Sequence, residues 1–158
     1  MSGGAAAHPG GRPAPPEPAD FRYMDEAADV AACFPLLRQL RPHLASAAEL
    51  VERWARQKAA GYRLLALWQA RPLALAGYRV QENLIHGRFL YVDDLVTDEA
   101  ARGSGHGQRL MDRLKAEGRT LGCDRLVLDT ALGNALGQRF YFRNGLLATA
   151  LRFNIPLA

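Results

Sequence analysis

Apolar residues recur along this chain in two rhythms, and each change of rhythm marks a boundary. Phe21-Arg22-Tyr23-Met24 alternates, which predicts a short first strand. Val30, Phe34, Leu37 and Leu40 then stand near helical spacing, with Asp25 placed to cap a helix running to about Leu40. Pro35 lies inside that run and predicts a kink or break, because it lacks a backbone donor and crowds the preceding turn. Arg41-Pro42-His43 reads as a turn. Ser46 followed by Glu49 is a capping-box pattern for a second helix to about Ala60, burying Leu50, Trp54 and Ala55.

Gly61 ends that helix, and Tyr62 to Trp68 reads as a strand. Ala70-Arg71-Pro72 turns the chain into a second strand, Leu73 to Val80, in which Gly77 is a candidate bulge. After a turn at Asn83 to Gly87, residues 88–97 carry aromatic and β-branched side chains and form a third strand. Three strands joined this tightly predict an antiparallel meander. Leu110, Met111, Leu114 and Leu121 then fall at helical spacing, and Gly122 stops that helix. Asp124 to Thr130 is a buried strand reached through a helix, hence parallel to the third meander strand. A loop at Gly133-Asn134 opens a short helix ending at Asn144-Gly145, and Leu147 to Ile155 is expected to close the sheet. The order β-α-α-β-β-β-α-β-α-β is that of an α/β (α+β) domain: a mixed sheet with helices on both faces.

The junction between the third meander strand and its helix carries the chemistry. Gly103, Gly105 and Gly107 stand where strand becomes helix, so backbone N–H groups can turn inward and a ligand can approach closely. The helix start leaves those donors unpaired and adds about half a positive charge from the helix dipole, a setting suited to phosphate oxygens. The spacing fails the dinucleotide fingerprint at its third glycine, where Gln108 stands, and there is no Gly-Lys-Ser/Thr of a triphosphate loop. A glycine-rich turn without a ligand is the plain alternative.

What fits is Arg102-x-x-Gly105-x-Gly107 preceded by Leu95-x-Thr97, which resembles the acetyl-coenzyme A signature of the GNAT superfamily of N-acetyltransferases. Asn134-x-x-Gly137-x-x-Phe140-Tyr141-Phe142-Arg143-Asn144-Gly145-Leu146 is similar to the second signature of that family. It departs mildly at Gly137, where alanine is usual, and at Leu146, where phenylalanine is usual. Taken alone, Phe-Tyr-Phe on a helix is core packing. The resemblance implies the fold from residue 20 to the end, with the third meander strand and the Asp124–Thr130 strand splayed apart. It implies that Arg102, Gly103, Ser104, Gly105, His106, Gly107 and Gln108 hold the diphosphate of acetyl-CoA. It also implies that the backbone of Leu95, Val96 and Thr97 pairs with the pantetheine arm, and that Asn134 adds a polar contact.

Acetyl transfer to an alkyl amine needs a base, since about one such amine in a thousand is neutral at pH 7. Alternation places Tyr91, Asp93, Leu95 and Thr97 on one strand face and Val92, Asp94 and Val96 on the other. The resemblance implies Asp93 as base, with Asp94 the second candidate. An aspartate that only caps, or pairs with Arg88 or Arg102, is the structural alternative. Two adjacent aspartates in an apolar strand are costly unless paired or useful, so at least one should line a polar cavity. Tyr141 would protonate the leaving thiolate, and an N–H near Leu95 would polarise the thioester carbonyl. Tyr91, Arg41 and His43 are candidates to face the acceptor.

Composition narrows the picture further. The 158 residues suit one domain, with a net charge of +4 from arginines scattered along the chain. With no block of like charge and no basic stripe interleaved with aromatics, nucleic acid is not an expected partner. No apolar run of membrane-spanning length occurs, so no membrane partner is expected. Cys33 and Cys123 are too few for a metal cluster or a disulfide framework and read as reduced core thiols, with no metal expected. Residues 1–19, rich in glycine, alanine and proline, read as an unordered tail without the pattern of a secretory leader, which points to the cytoplasm. Residues 20–158 then form a single acetyltransferase domain. The expected activity is acetyl transfer from acetyl-CoA to a primary amine of a small molecule or peptide, by direct attack in a ternary complex. A non-catalytic acyl-CoA-binding or sensor module on the same fold is the alternative. In this family a pair of strands usually follows the last helix, and here the tail is short. Either the pair is abbreviated or a partner subunit supplies the missing edge, so a homodimer is an expectation of the family.

Overall fold

The structure is a computed structural model that describes residues 18–158. Most of the expected tail lies outside the described residues. Ala19, assigned to that tail, is held instead: its carbonyl accepts a hydrogen bond from Arg109 Nη2 at 2.9 Å.

Five strands form one sheet in the order β1 (Asp20–Tyr23), β2 (Arg63–Gln69), β3 (Arg71–Asn83), β4 (Gly87–Thr97), β5 (Arg125–Leu128). The first three junctions are antiparallel and β4–β5 is parallel. The parallel pair is reached through α4 (His106–Thr120), as a crossover requires. On one face lie α1 (Ala27–Ala32), α2 (Phe34–Leu40) and α3 (Ala47–Ala59), whose Val30, Leu37, Leu50 and Trp54 pack on Leu64, Ala66, Leu75 and Val96. On the other face Leu110 and Leu114 of α4 pack on Leu65, Leu67, Tyr78, Leu90 and Val92.

Most local signals act where they stand. The Ser46 hydroxyl accepts the Glu49 amide at 3.1 Å and starts α3. Glu49 in turn accepts the Ala45 amide at 2.8 Å, so the reciprocal half of the box falls one residue early. The expected first helix breaks at Cys33, two residues ahead of Pro35. Asp25 does not cap it: Glu26 holds that position and makes no side-chain cap bond. Ala55 is exposed rather than buried, because the inward side of α3 is carried by Leu50 and Trp54. β5 is only half-buried: Leu126 and Leu128 pack on the α4 side, and α5 (Ala135–Arg143) contributes no fully buried residue.

The closing strand at Leu147–Ile155 does not form. Residues 146–158 run on from Gly145 without regular structure, and among the described residues no strand pairs with them. Among the described residues no helix is long and apolar enough to cross a membrane.

Candidate active site

A bulge in the middle of β4 shapes the site. Gly77 faces Asp94, but the next residue, Tyr78, faces Val92, so Asp93 is an extra residue with no partner on β3. The bulge shifts the alternation by one. Leu90, Val92 and Leu95 pack on the α4 side, while Val96 packs with α1–α3. Thr97 also lies on the α4 side, its Oγ1 3.3 Å from where a Cβ on Gly107 would stand. The expected division of faces therefore fails beyond Asp93: both aspartates open on the same side. They line one cavity of about 450 Å³ together with Tyr91, Arg41, His43, Trp54 and Tyr62.

Each aspartate has its own arginine, and neither is Arg88 or Arg102. Arg79 Nε donates to Asp93 Oδ2 at 2.9 Å. Arg41 Nε donates to Asp94 Oδ1 at 2.9 Å, and its Nη2 donates to the Asp93 carbonyl at 2.8 Å. The buried Tyr62 hydroxyl donates to Asp94 Oδ2 at 2.9 Å, so both oxygens of Asp94 are engaged. The carboxyl of Asp93 sits above the usual range because burial outweighs the neighbouring Arg79. Arg88 instead donates to the Leu121 carbonyl at 3.0 Å, and Arg102 lies 4.0 Å from Glu99.

Beside this cavity the sheet parts. Pairing of β4 with β5 ends at Val92–Leu128, yet β4 continues to Thr97 with β3 as its only neighbour among the described residues. Alternate amides and carbonyls of this stretch face the gap, as in any edge strand. Just past it, Asp98 pins the chain. The Asp98 amide donates to the Leu73 carbonyl at 2.8 Å, and its carboxylate accepts from Gln39 Nε2 at 2.9 Å and from Arg71 Nη1. Those contacts hold the carboxyl of Asp98 below the usual carboxylate range.

The glycine turn follows. Gly103 and Gly105 have φ of 81° and 79°, a region that side chains strain to occupy, and a Cβ on either would point into open space. Gly105 is the N-cap of α4, with no side-chain cap and no acidic residue in the first turn. The first helical bond runs from the Arg109 amide to the Gly105 carbonyl at 3.0 Å. The amides of His106, Gly107 and Gln108 are thus the unclaimed donors of the helix start. This open, uncapped end fits a diphosphate. Ser104 and Arg102 are exposed on the same turn, while His106 is half-buried with its Nδ1 lacking a hydrogen-bond partner. Gln108 Nε2 is committed to Asp112 and Asn144.

Phe140 of α5 packs against this turn, 3.6 Å from the position of a Gly107 Cβ. Asn134 caps α5: its Oδ1 accepts the Gly137 amide at 3.0 Å and its Nδ2 donates to Thr130 Oγ1 at 3.0 Å. A Cβ on Gly137 would lie 2.4 Å from Asn134 Nδ2, so a side chain there would make the Asn134 cap shift. Tyr141 is half-buried beside Phe140, and burial lifts its phenol above the usual range. It does not line the cavity that holds Asp93 and Asp94.

Residues 27–146 match the family model of the acetyltransferase (GNAT) family. The chain belongs to that family. It is an acetyl-CoA-dependent N-acetyltransferase on a GNAT fold. The uncharacterized N-acetyltransferase YhdJ of Bacillus subtilis (strain 168) is 29% identical over 122 residues, covering 77% of this chain and 86% of that one. A Trypanosoma brucei acetyltransferase superposes with a TM-score of 0.73 at 23% identity, over 88% of this chain and 99% of its own. Aminoglycoside N-acetyltransferase AAC(6')-Iy, solved in complex with CoA, superposes with a TM-score of 0.77 at 17% identity, over 93% and 99%.

Tyr62, Arg79 and Trp54 are site residues that the sequence did not single out. Arg79 carried a signal, a charge inside an apolar strand. Tyr62 carried none, because its role depends on which residue Gly77 faces.

Proposed function

We propose that this acetyltransferase acetylates a primary amine by direct attack while both substrates are bound, with Asp93 as the base. The observation that carries the reading is the bulge, which brings two aspartates into one cavity beside the unpaired end of β4. Asp94, held by Arg41 and Tyr62, has no free oxygen and serves to position. Asp93 uses one oxygen for Arg79, and its other oxygen accepts no hydrogen bond among the described residues. Its raised basicity suits removal of a proton from the amine, directly or through water.

Acetyl-CoA, when bound, supplies the acetyl group as a thioester. Arg102 and the amides from Gly103 to Gln108 hold the diphosphate, and the gap-facing backbone of Leu95 to Thr97 pairs with the pantetheine arm. An amide near Leu95 polarises the carbonyl under attack. Tyr141, protonated at neutral pH, gives its proton to the sulfur as the C–S bond breaks. Arg41, His43 and Tyr91 line the acceptor side. Holding amine and thioester together supplies the larger share of the rate, with effective molarities on the order of 10⁵ M available to well-oriented pairs.

The test is a panel of amines with acetyl-CoA, read by thiol release and by mass of the product. Asp93→Asn should lower turnover by about 10²- to 10⁴-fold with coenzyme A binding unchanged. Undiminished turnover would remove Asp93 as base. Thiol release without an acetylated amine would remove the amine acceptor.

A further inference from the structure

The charges of the acceptor cavity are largely paired among themselves. Asp94 gives both oxygens, one to Arg41 Nε at 2.9 Å and one to the Tyr62 hydroxyl at 2.9 Å. Asp93 gives one oxygen to Arg79 Nε at 2.9 Å. Of the two aspartates that line the cavity, only the second oxygen of Asp93 is open to a substrate cation among the described residues. Against it the cavity presents Arg41, Arg53 and Arg152. A polyamine, with several cations to place, would meet one acceptor and three guanidinium groups.

Arg152 differs from the other two arginines. Arg41 commits Nε to Asp94 and Nη2 to the Asp93 carbonyl, and Arg53 pairs along its own helix with Glu49 at 2.8 Å. Arg152 reaches the cavity from the irregular segment beyond α5, and only its Nη2 is engaged, donating to the Tyr91 hydroxyl at 2.7 Å and to Asp129 Oδ2 at 2.6 Å. Its Nε and Nη1 have no acceptor among the described residues, and its side chain is 61% exposed. Those donors are available to a further anion. Tyr91 ties this guanidinium to the strand that carries Asp93, two residues on, or about 6–7 Å along β4. Two hydrogen bonds of about 2.9 Å and the N–C–C–O link of an α-amino acid reach across that interval.

Resting on the amine acceptor and on Asp93 as base, we propose that the acceptor is a free α-amino acid with an apolar side chain, its carboxylate held by Arg152. Leu44, Leu50, Leu64 and Trp54, all buried, wall the same cavity and suit that side chain. The α-amine stands at the open oxygen of Asp93 and attacks the thioester carbon. The C–N bond forms as the C–S bond breaks, one amine proton passes to Asp93, and the thiolate takes one from Tyr141. The products are the N-acetyl amino acid and coenzyme A. A peptide N-terminus carries the same amine but an amide in place of the carboxylate, so Arg152 separates the two.

The test offers the full chain, with acetyl-CoA, phenylalanine, phenylalaninamide, phenethylamine and spermidine, read by thiol release and product mass. Phenylalanine should exceed phenylalaninamide in kcat/KM. Arg152→Gln should lower that ratio about tenfold through KM, the weight of one hydrogen bond to a charged group. Arg152→Lys should restore part of it. Comparing ratios cancels the unequal basicity of the two amines. Calorimetry with N-acetylphenylalanine and its amide reads the same contact without turnover: the acid should bind more tightly, and Arg152→Gln should remove the difference. Acid and amide bound equally, or a preference for spermidine, overturns the proposal. Acetylation of phenylalaninamide and phenethylamine with a ratio indifferent to Arg152→Gln overturns it too, while leaving the amine acceptor standing. Thiol release with no acetylated amine would overturn both.

Discussion

Gly77→Ala tests whether the bulge and the aspartate pair form one unit. A Cβ on Gly77 would stand 1.8 Å from the Tyr62 hydroxyl oxygen, 2.3 Å from Cζ and 2.6 Å from Cε2. No rotation of a buried ring relieves three such contacts, so Tyr62 must leave its place and release Asp94 Oδ2. Losing a hydrogen bond to a charged group costs about 1.5–3 kcal/mol, and overpacking a core costs about 1–3 kcal/mol. A loss of about 4 kcal/mol would lower Tm by roughly 8–16 °C in a domain of this size. Thermal unfolding by circular dichroism reads the stability, and thiol release at saturating acetyl-CoA reads the reorganised site. Tyr62→Phe should not rescue the variant, because the ring carbons still collide. Tyr62→Ala should: in that background Gly77→Ala becomes nearly neutral, and the cycle returns a coupling of about 3 kcal/mol or more between the two positions. A Tm change under 2 °C, or equal cost in both backgrounds, would refute the steric argument and with it the account of how Asp94 is held.

Tyr141→Phe should depress turnover by about 10²-fold or more while coenzyme A affinity, read by calorimetry, stays level; unchanged turnover rejects the proton-donor role. Coenzyme A at a hundred times its Kd should stabilise the protein by about 2.7 kcal/mol, a shift of roughly 5–10 °C. Gly105→Ala, forced to φ of 79°, should lose most of that shift, and an undiminished shift would move the diphosphate elsewhere. Asp98→Asn should lower Tm by an amount that depends on pH. The native carboxyl of Asp98 is held below its ordinary pKa, so its stabilisation is full above the ordinary carboxylate range and fades as pH falls through the depressed value. The gap between variant and parent should therefore be wide at pH 7 and close in acid. A gap constant with pH would show that the Gln39 and Arg71 contacts do not depend on the charge.

The parts of this fold that could be read from the chain are those decided by neighbours in sequence. Ser46 and Glu49 meet one turn apart, Pro35 acts on its own turn, and Gly105 and Gly122 take φ values that side chains avoid. The glycine turn proposed to hold the diphosphate belongs to this class, since its donors are consecutive amides of one helix start. The division of faces on β4 does not. Nothing in Asp93-Asp94 states that one of them is extra; that follows from Gly77 and Tyr78 on another strand, which face Asp94 and Val92. A single unpaired residue reverses the outlook of everything after it, so Val96 turns to α1–α3 and Leu95 and Thr97 turn to α4.

The C-terminal stretch shows the complementary limit. Its alternation is the cleanest in the chain, and alternation does report a real property: one side apolar, the other not. A strand, however, is defined by hydrogen bonds to a neighbour, and the pattern says nothing about which neighbour supplies them. Leu151, Phe153, Ile155 and Leu157 would satisfy the expected strand equally well against their own β5 or against another molecule. Here the segment is tied to its own chain by the ion pair of Arg152 with Asp129, while the residues on either side of Arg152 are exposed. The apolar side is left uncovered among the described residues.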